Sequence, residues 1–166
     1  QASFVLYRAE SGFRALLSAD IVAATLKRLQ MYVLRSKVKL ADLSSAYETI
    51  GLAGPQAEAA LQQAGLPLPA AALKTAQFAD GTVIRLDAKR WLVVVASTVA
   101  PQTWKRLAET ARPVGTAVWQ WLDIEAGIPL VTEATKEAFV PQMANFDQIG
   151  GVSFKKGCYP GQEVIA

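Results

Sequence analysis

Histidine is absent from this chain, and cysteine occurs once in 166 residues. The first absence removes Ser-His-Asp and Cys-His nucleophile pairs; a single thiol without histidine also leaves no soft-ligand set for zinc or an iron–sulfur cluster. Any base must be a carboxylate, a lysine or the ligand itself. A lone cysteine cannot form an internal disulfide, which fits a reducing compartment, so a cytoplasmic location is expected. Long apolar runs are missing too: Trp91 to Ala96 is strand-sized, far short of the roughly 20 residues of a membrane helix, so no membrane partner is expected. Gln1-Ala2-Ser3 lacks the basic region and apolar core of a signal peptide, and Gln1 is not an initiator, so an internal fragment of a longer protein is expected.

Charge is sparse and nearly balanced. Seventeen basic against fourteen acidic residues give +3, scattered rather than blocked. Only Lys27-Arg28 with Arg35 and Lys37-Lys39 hints at a basic stripe; it reads as a solvated helix end and strand, and no direct nucleic-acid partner is expected. At 52% hydrophobic and 19% charged, the chain belongs with folded globular sequences.

The single thiol sits in the most informative stretch, Phe154-Lys155-Lys156-Gly157-Cys158-Tyr159-Pro160-Gly161-Gln162-Glu163. Adjacent cations lower a cysteine pKa toward the reactive thiolate, so Lys155 and Lys156 bias Cys158 toward reactivity. Gly157 permits close backbone approach, and Pro160-Gly161 favours a turn. Gln162 and Glu163 add an amide and a carboxylate. A polar turn with a half-buried cysteine would use the same residue types.

Taken in order, Ser3–Tyr7 and Phe13–Leu17 read as a hairpin across Arg8-Ala9-Glu10-Ser11-Gly12. Asp20 is placed to cap a helix from Ile21 to about Ser36, one face packing inward with Met31 and Tyr32 in the core. Short strands at Val38–Leu40 and Ala46–Leu52 precede a helix, Gln56–Ala64, opened by Pro55 and stopped by Gly65. Lys74–Phe78, Gly81–Asp87 and Arg90–Ser97 form a strand set whose last run, Trp91 to Val95, predicts burial on both faces and the sheet centre. Helices follow from Pro101 to Arg112 and from Thr116 to Glu125, the second ended by Gly127 and Pro129. From Pro129 to Gly151 the pattern is loop-like. The order predicts an α+β fold of two strand-helix-strand lobes in tandem.

Lys156-Gly157-Cys158-Tyr159-Pro160-Gly161-Gln162-Glu163 resembles the K-G-C-Y-x-G-Q-E signature of the YgfZ-type folate-binding proteins, relatives of the aminomethyltransferase (T protein) of the glycine cleavage system. The resemblance extends upstream through Trp121 to Pro129, Phe139 to Met143, Asn145, and Gly150 to Lys155. It implies a duplicated folate-binding, T-protein-like fold, incomplete at its N-terminus and without the C-terminal barrel of full-length members. Residues 1–45 would be the remainder of the first lobe, 46–130 the second, and 131–166 the loop region carrying the motif. The implied cofactor is tetrahydrofolate or a one-carbon derivative. The implied task is support of iron–sulfur cluster assembly or repair in client enzymes, including tRNA-modifying ones, through a functional cysteine. An aminomethyl or one-carbon transferase of the T-protein type is the alternative.

The candidate site residues are Cys158 and Lys156 for chemistry, Lys156 either holding the thiolate or pairing with the folate glutamate tail, and Glu125, Tyr159 and Gln162 for folate; the resemblance itself carries over Glu125 alone. In T proteins the glutamate of the related helix-end motif, here Ile124-Glu125-Ala126-Gly127, holds the pterin. A carboxylate can accept two hydrogens of the pterin donor edge at once. At a helix C-terminus the dipole disfavours an anion, so capping does not explain Glu125. Trp119 and Trp121, two apart, lie on different sides of a helix, so at most one faces the core directly; core filling is the main reading, with stacking on a pterin or benzoyl ring as the alternative. Asn145 and Gln142 are candidates to position ligand or loop amides. No metal site is assigned.

Overall fold

The computed structural model describes residues 2–155 and 157. Its described elements are mixed α and β, with two sheets and four α-helices. The chain divides into two compact units. One is drawn from Gln1–Val5, Ala15–Leu40 and Gly115–Ala166, the other from Leu6–Arg14 and Ala41–Val114.

The second unit is built on a four-stranded antiparallel sheet. Its strands are β3 (Tyr47–Ala53), β4 (Thr75–Phe78), β5 (Gly81–Arg85) and β6 (Arg90–Ala96), in the order β3-β6-β5-β4. The central position expected for the Trp91–Val95 run is observed: β6 lies between β3 and β5, and Arg90 to Val95 are all buried. Alternation along the strands sorts side chains to two faces. On one face Ile50, Leu52, Val83, Trp91, Val93 and Val95 join a core completed by Ala57, Ala60, Leu61 and Ala64 and by Ala100 and Leu107. The helical contributors come from α2 (Ala57–Gln63), with Ala64 as its cap, and α3 (Ala100–Ala108), whose buried positions recur at helical spacing. Each fully buried Val or Leu contributes about 1.5–3 kcal/mol. Pro101 stands in the first turn of α3, where a missing N–H costs nothing.

The opposite face carries the register row Thr49, Val94, Thr82 and Gln77, with Tyr47 on the same side. Val94 and Thr82 are buried there. The cover comes from the hairpin of β1 (Val5–Ala9) and β2 (Gly12–Leu16). Arg14 donates to the Tyr47 hydroxyl at 2.8 Å, while Gln77 Nε2 donates to the Arg8 carbonyl at 2.9 Å. Tyr47 and Gln77 belong to opposite edge strands, so a hairpin held at both lies across the sheet. Tyr7 and Ala9 are buried, and Leu6 and Arg8 are exposed, as alternation requires. Thr82 is satisfied through Gln77 Oε1 at 2.8 Å, which extends the same chain of hydrogen bonds. Among the described residues, no partner meets hydrogen-bond geometry at buried Tyr7 Oη or Trp91 Nε1. Burial raises the Tyr7 pKa, and the nearby Arg14 guanidinium offsets only part of that rise.

Gly81 begins β5 directly after the Ala79-Asp80 turn, paired with Phe78 and facing β6. A β-carbon there would overlap the Val94 carbonyl oxygen, so the close approach of the two backbones requires glycine.

In the first unit, the helix expected from Ile21 to Ser36 is shorter. A 3-10 turn spans Ala19–Ile21, and α1 covers Val22–Gln30, followed by turns. Ile21 is buried, whereas no residue of α1 is, and Met31 and Tyr32 are 62% and 66% exposed. Their placement in a core is therefore corrected. Asp20 does not cap α1, whose N-cap is Ile21 without a side-chain bond; its carboxylate accepts the Glu133 N–H at 3.0 Å instead. The expected strand Val38–Leu40 is irregular chain, since neither sheet offers it a partner. The Ser3 hydroxyl accepts the Val131 N–H at 2.8 Å, a buried tie that sequence periodicity does not reveal.

Candidate functional site

Glu125 is the last residue of α4 (Thr116–Glu125), as the sequence predicts. The helix stops through paired capping bonds: Gly127 N–H to the Ile124 carbonyl at 2.9 Å and Ile128 N–H to the Asp123 carbonyl at 2.9 Å. Gly127 holds φ 66°, the left-handed value that this closure needs and that glycine adopts without a β-carbon penalty. Glu125 is exposed and takes no hydrogen bond or ion pair from the described residues.

One turn earlier, at i−4, stands Trp121 on the same helical face. It is 55% exposed, with Val118 and Ile124 also exposed at three-residue spacing, while Trp119 is half-buried. At most one of the two indoles can face the core, as their spacing requires, and Trp121 is the one turned to solvent. Crowding against a core would have covered that indole; here an aromatic face and a carboxylate open together on one side of a capped helix end.

Asn145 reaches the same helix end. It terminates the short 3-10 helix Pro141–Ala144 in the left-handed conformation, φ 59°. Its amide nitrogen lies 3.8 Å from where a β-carbon on Gly127 would stand. Asn145 thus lies at the Glu125 terminus. Gln142 lies within that 3-10 helix and is engaged in an interaction of its own. A turn leads on from there, with Gly151 N–H bonded to the Phe146 carbonyl at 2.6 Å. Cys158, Lys156, Tyr159 and Gln162 lie outside the described residues.

The carboxylates that do show a shift serve structure. Asp20 is held below the usual carboxylate range first by the Ser18 hydroxyl and then by the Glu133 amide. Lys136 is raised by its 2.7 Å contact with Glu133. Among the described residues no three metal-ligating side chains converge, and no helix is long and apolar enough to cross a membrane.

No family model matches the chain. Curated relatives do. A protein of Serratia proteamaculans (strain 568) named "tRNA-modifying protein YgfZ" is 36% identical over 163 residues, 97% of this chain and 49% of the relative. A protein of the same name from Yersinia pseudotuberculosis serotype O:1b (strain IP 31758) is 36% identical over 164 residues, covering 98% and 49%. That from Yersinia enterocolitica serotype O:8 / biotype 1B is 35% identical with the same coverage. The chain spans about half the length of the curated relatives it matches.

Proposed function

Because the chain belongs to the YgfZ family over nearly its whole length, we propose that it is the folate-gripping part of a cytoplasmic tetrahydrofolate-binding accessory protein. That protein supports iron–sulfur cluster assembly or repair in client enzymes, among them enzymes that modify tRNA. The observation that carries the reading is the pairing of Trp121 with Glu125. A reduced pterin is a flat ring with a donor edge, and it needs one surface to lie on and one anion to accept its hydrogens. The indole offers the first and the carboxylate the second, one helical turn apart.

Asn145 supports the helix end from which both project. In this reading Cys158 acts on the client's cluster as a thiolate, favoured by Lys156, while Tyr159 and Gln162 contact folate. The finer architecture belongs to the same proposal: T-protein-like tandem lobes, a first ending near residue 45, a second over 46–130, and a motif-bearing region over 131–166.

Calorimetric titration of the full-length protein with tetrahydrofolate tests the grip. Glu125→Ala is expected to weaken binding by roughly ten- to a hundredfold, the loss of about 1.5–3 kcal/mol for hydrogen bonds to a charged group. Unchanged affinity in that variant, or no binding by the wild type, refutes the assignment. Cys158→Ala in a deletion background is expected to leave iron–sulfur clients inactive; full activity there would sink the cysteine's role. Turnover of an aminomethyl donor by the full-length protein would favour the transferase instead.

A further inference from the structure

Lys27, Arg28, Arg35, Lys37 and Lys39 are exposed, and none forms an ion pair or hydrogen bond through its side chain with the described residues. Four cations elsewhere in the chain are engaged: Arg85 with Glu58 at 3.1 Å, Arg90 with Asp87 at 2.7 Å, Lys136 with Glu133 at 2.7 Å, and Arg14 on Tyr47. No Asp or Glu occurs from Ile21 to Ala41. The acids that bracket this interval are committed elsewhere, Asp20 to the Glu133 amide and Asp42 to the Ser44 hydroxyl and amide. The interval therefore carries charge of one sign with no ion pair to a described residue.

The same interval exposes Tyr32 at 66% and Leu34 at 87%. Leu34, Arg35 and Ser36 also wall an open depression of about 680 Å³. Three classes of anionic partner answer such a surface, and the arrangement separates them. A membrane-lying helix segregates apolar and basic faces, whereas here the two kinds alternate along turns and irregular chain after a nine-residue helix. An acidic peptide needs only charge. RNA uses charge together with planar groups on which unstacked bases lie, and Tyr32, Arg28 and Arg35 supply such planes among the cations. A sequence pI of about 9.1 agrees with a basic footprint for nucleic acid.

We propose that Lys27 to Lys39 forms an RNA-docking surface, the cations holding phosphates and Tyr32 stacking on an unpaired base. This reverses the expectation from sequence that the cluster is merely solvated. It is independent of folate binding, so either assignment can fail alone.

The test is fluorescence anisotropy of a labelled bulk tRNA fraction with the full-length protein across about 50–200 mM salt. Arg35→Glu/Lys37→Glu/Lys39→Glu is expected to raise Kd at least tenfold and to reduce the slope of log Kd against log salt by roughly 2–3, near 0.7–0.9 per phosphate contact. A charge-matched control, Lys74→Glu/Lys105→Glu/Arg112→Glu, is expected to shift Kd by less than about threefold. Tyr32→Ala, which leaves the charge unchanged, is expected to weaken binding about fivefold or more, as loss of one stacked base predicts. Should the triple variant misfold by circular dichroism, Lys37→Gln/Lys39→Gln gives the same readout with about two slope units at most. The proposal is overturned by a wild type that does not bind, by equal losses in the control, or by RNA binding that survives the substitutions while binding to phosphatidylserine vesicles or to an acidic protein is lost.

Discussion

The Arg14 guanidinium lies 4.0 Å from the centroid of the Tyr47 ring and donates to the hydroxyl of the same residue at 2.8 Å. One side chain thus uses both the face and the polar tip of its partner, and in doing so fastens β2 to the edge strand β3. Tyr47→Phe is expected to cost about 1 kcal/mol, the net value of one hydrogen bond, because the ring stays beneath the cation. Tyr47→Ala removes ring and hydroxyl together and is expected to cost about 2–3 kcal/mol. Urea unfolding of the two variants checks this; equal losses would show that the ring face contributes nothing.

Acid stability is expected to depend on Asp87. Partial burial raises its pKa, but the Lys89 amide and the Arg90 guanidinium outweigh burial and hold it below the usual value. A carboxyl depressed in the folded state adds stability above its unfolded pKa of about 3.9, and that contribution is lost as pH falls through the folded value. Asp87 is part-exposed, so solvent screening limits the contribution to about 1 kcal/mol. Arg90, however, is buried, and loses its ion pair with Asp87 in Asp87→Asn. The variant is expected to be less stable at neutral pH and to lose less stability between about pH 5 and 2.5 than the wild type. Denaturant midpoints measured across that interval decide it; parallel curves would refute the linkage.

Gly127→Ala is expected to destabilise the end of α4 by about 1 kcal/mol, because φ 66° places a β-carbon in the left-handed region. The new methyl would also meet the Asn145 amide at ordinary contact distance, so space is not the obstacle. Thermal melting of Gly127→Ala beside Gly127→Asn separates the two causes. Asparagine tolerates the left-handed conformation better, and a larger loss for asparagine would show that crowding, not backbone conformation, sets the cost.

The sheet could be read in advance because its determinants are local. An unbroken apolar run at Trp91–Val95, an Ala-Asp-Gly turn and a glycine just past α4 each leave a short-range mark. The inward face assigned to α1 failed for a complementary reason. Helical spacing of Ile21, Ala24 and Thr25 says which residues share a face, but only another element can bury it, and of these three only Ile21 is buried. Spacing likewise says that Trp119 and Trp121 cannot both face a core but not which one turns to solvent, since large aromatics are usually interior and no local signal marks one that is not.

From the order of residues alone came the family signature around Cys158, the candidacy of Glu125, the ends of α4 and the identity of the central strand, all of which are set by side-chain type and near neighbours along the chain. What required three dimensions was the company each group keeps. The hairpin lies across the sheet because Arg14 meets Tyr47 and Gln77 meets Arg8, separated by 33 and 69 residues. Trp121 opens beside Glu125, and the cations from Lys27 to Lys39 form no ion pair with a described residue, while the acids on either side, Asp20 and Asp42, take other bonds. Burial and pairing are properties of distant segments brought together, and no single stretch of sequence contains them.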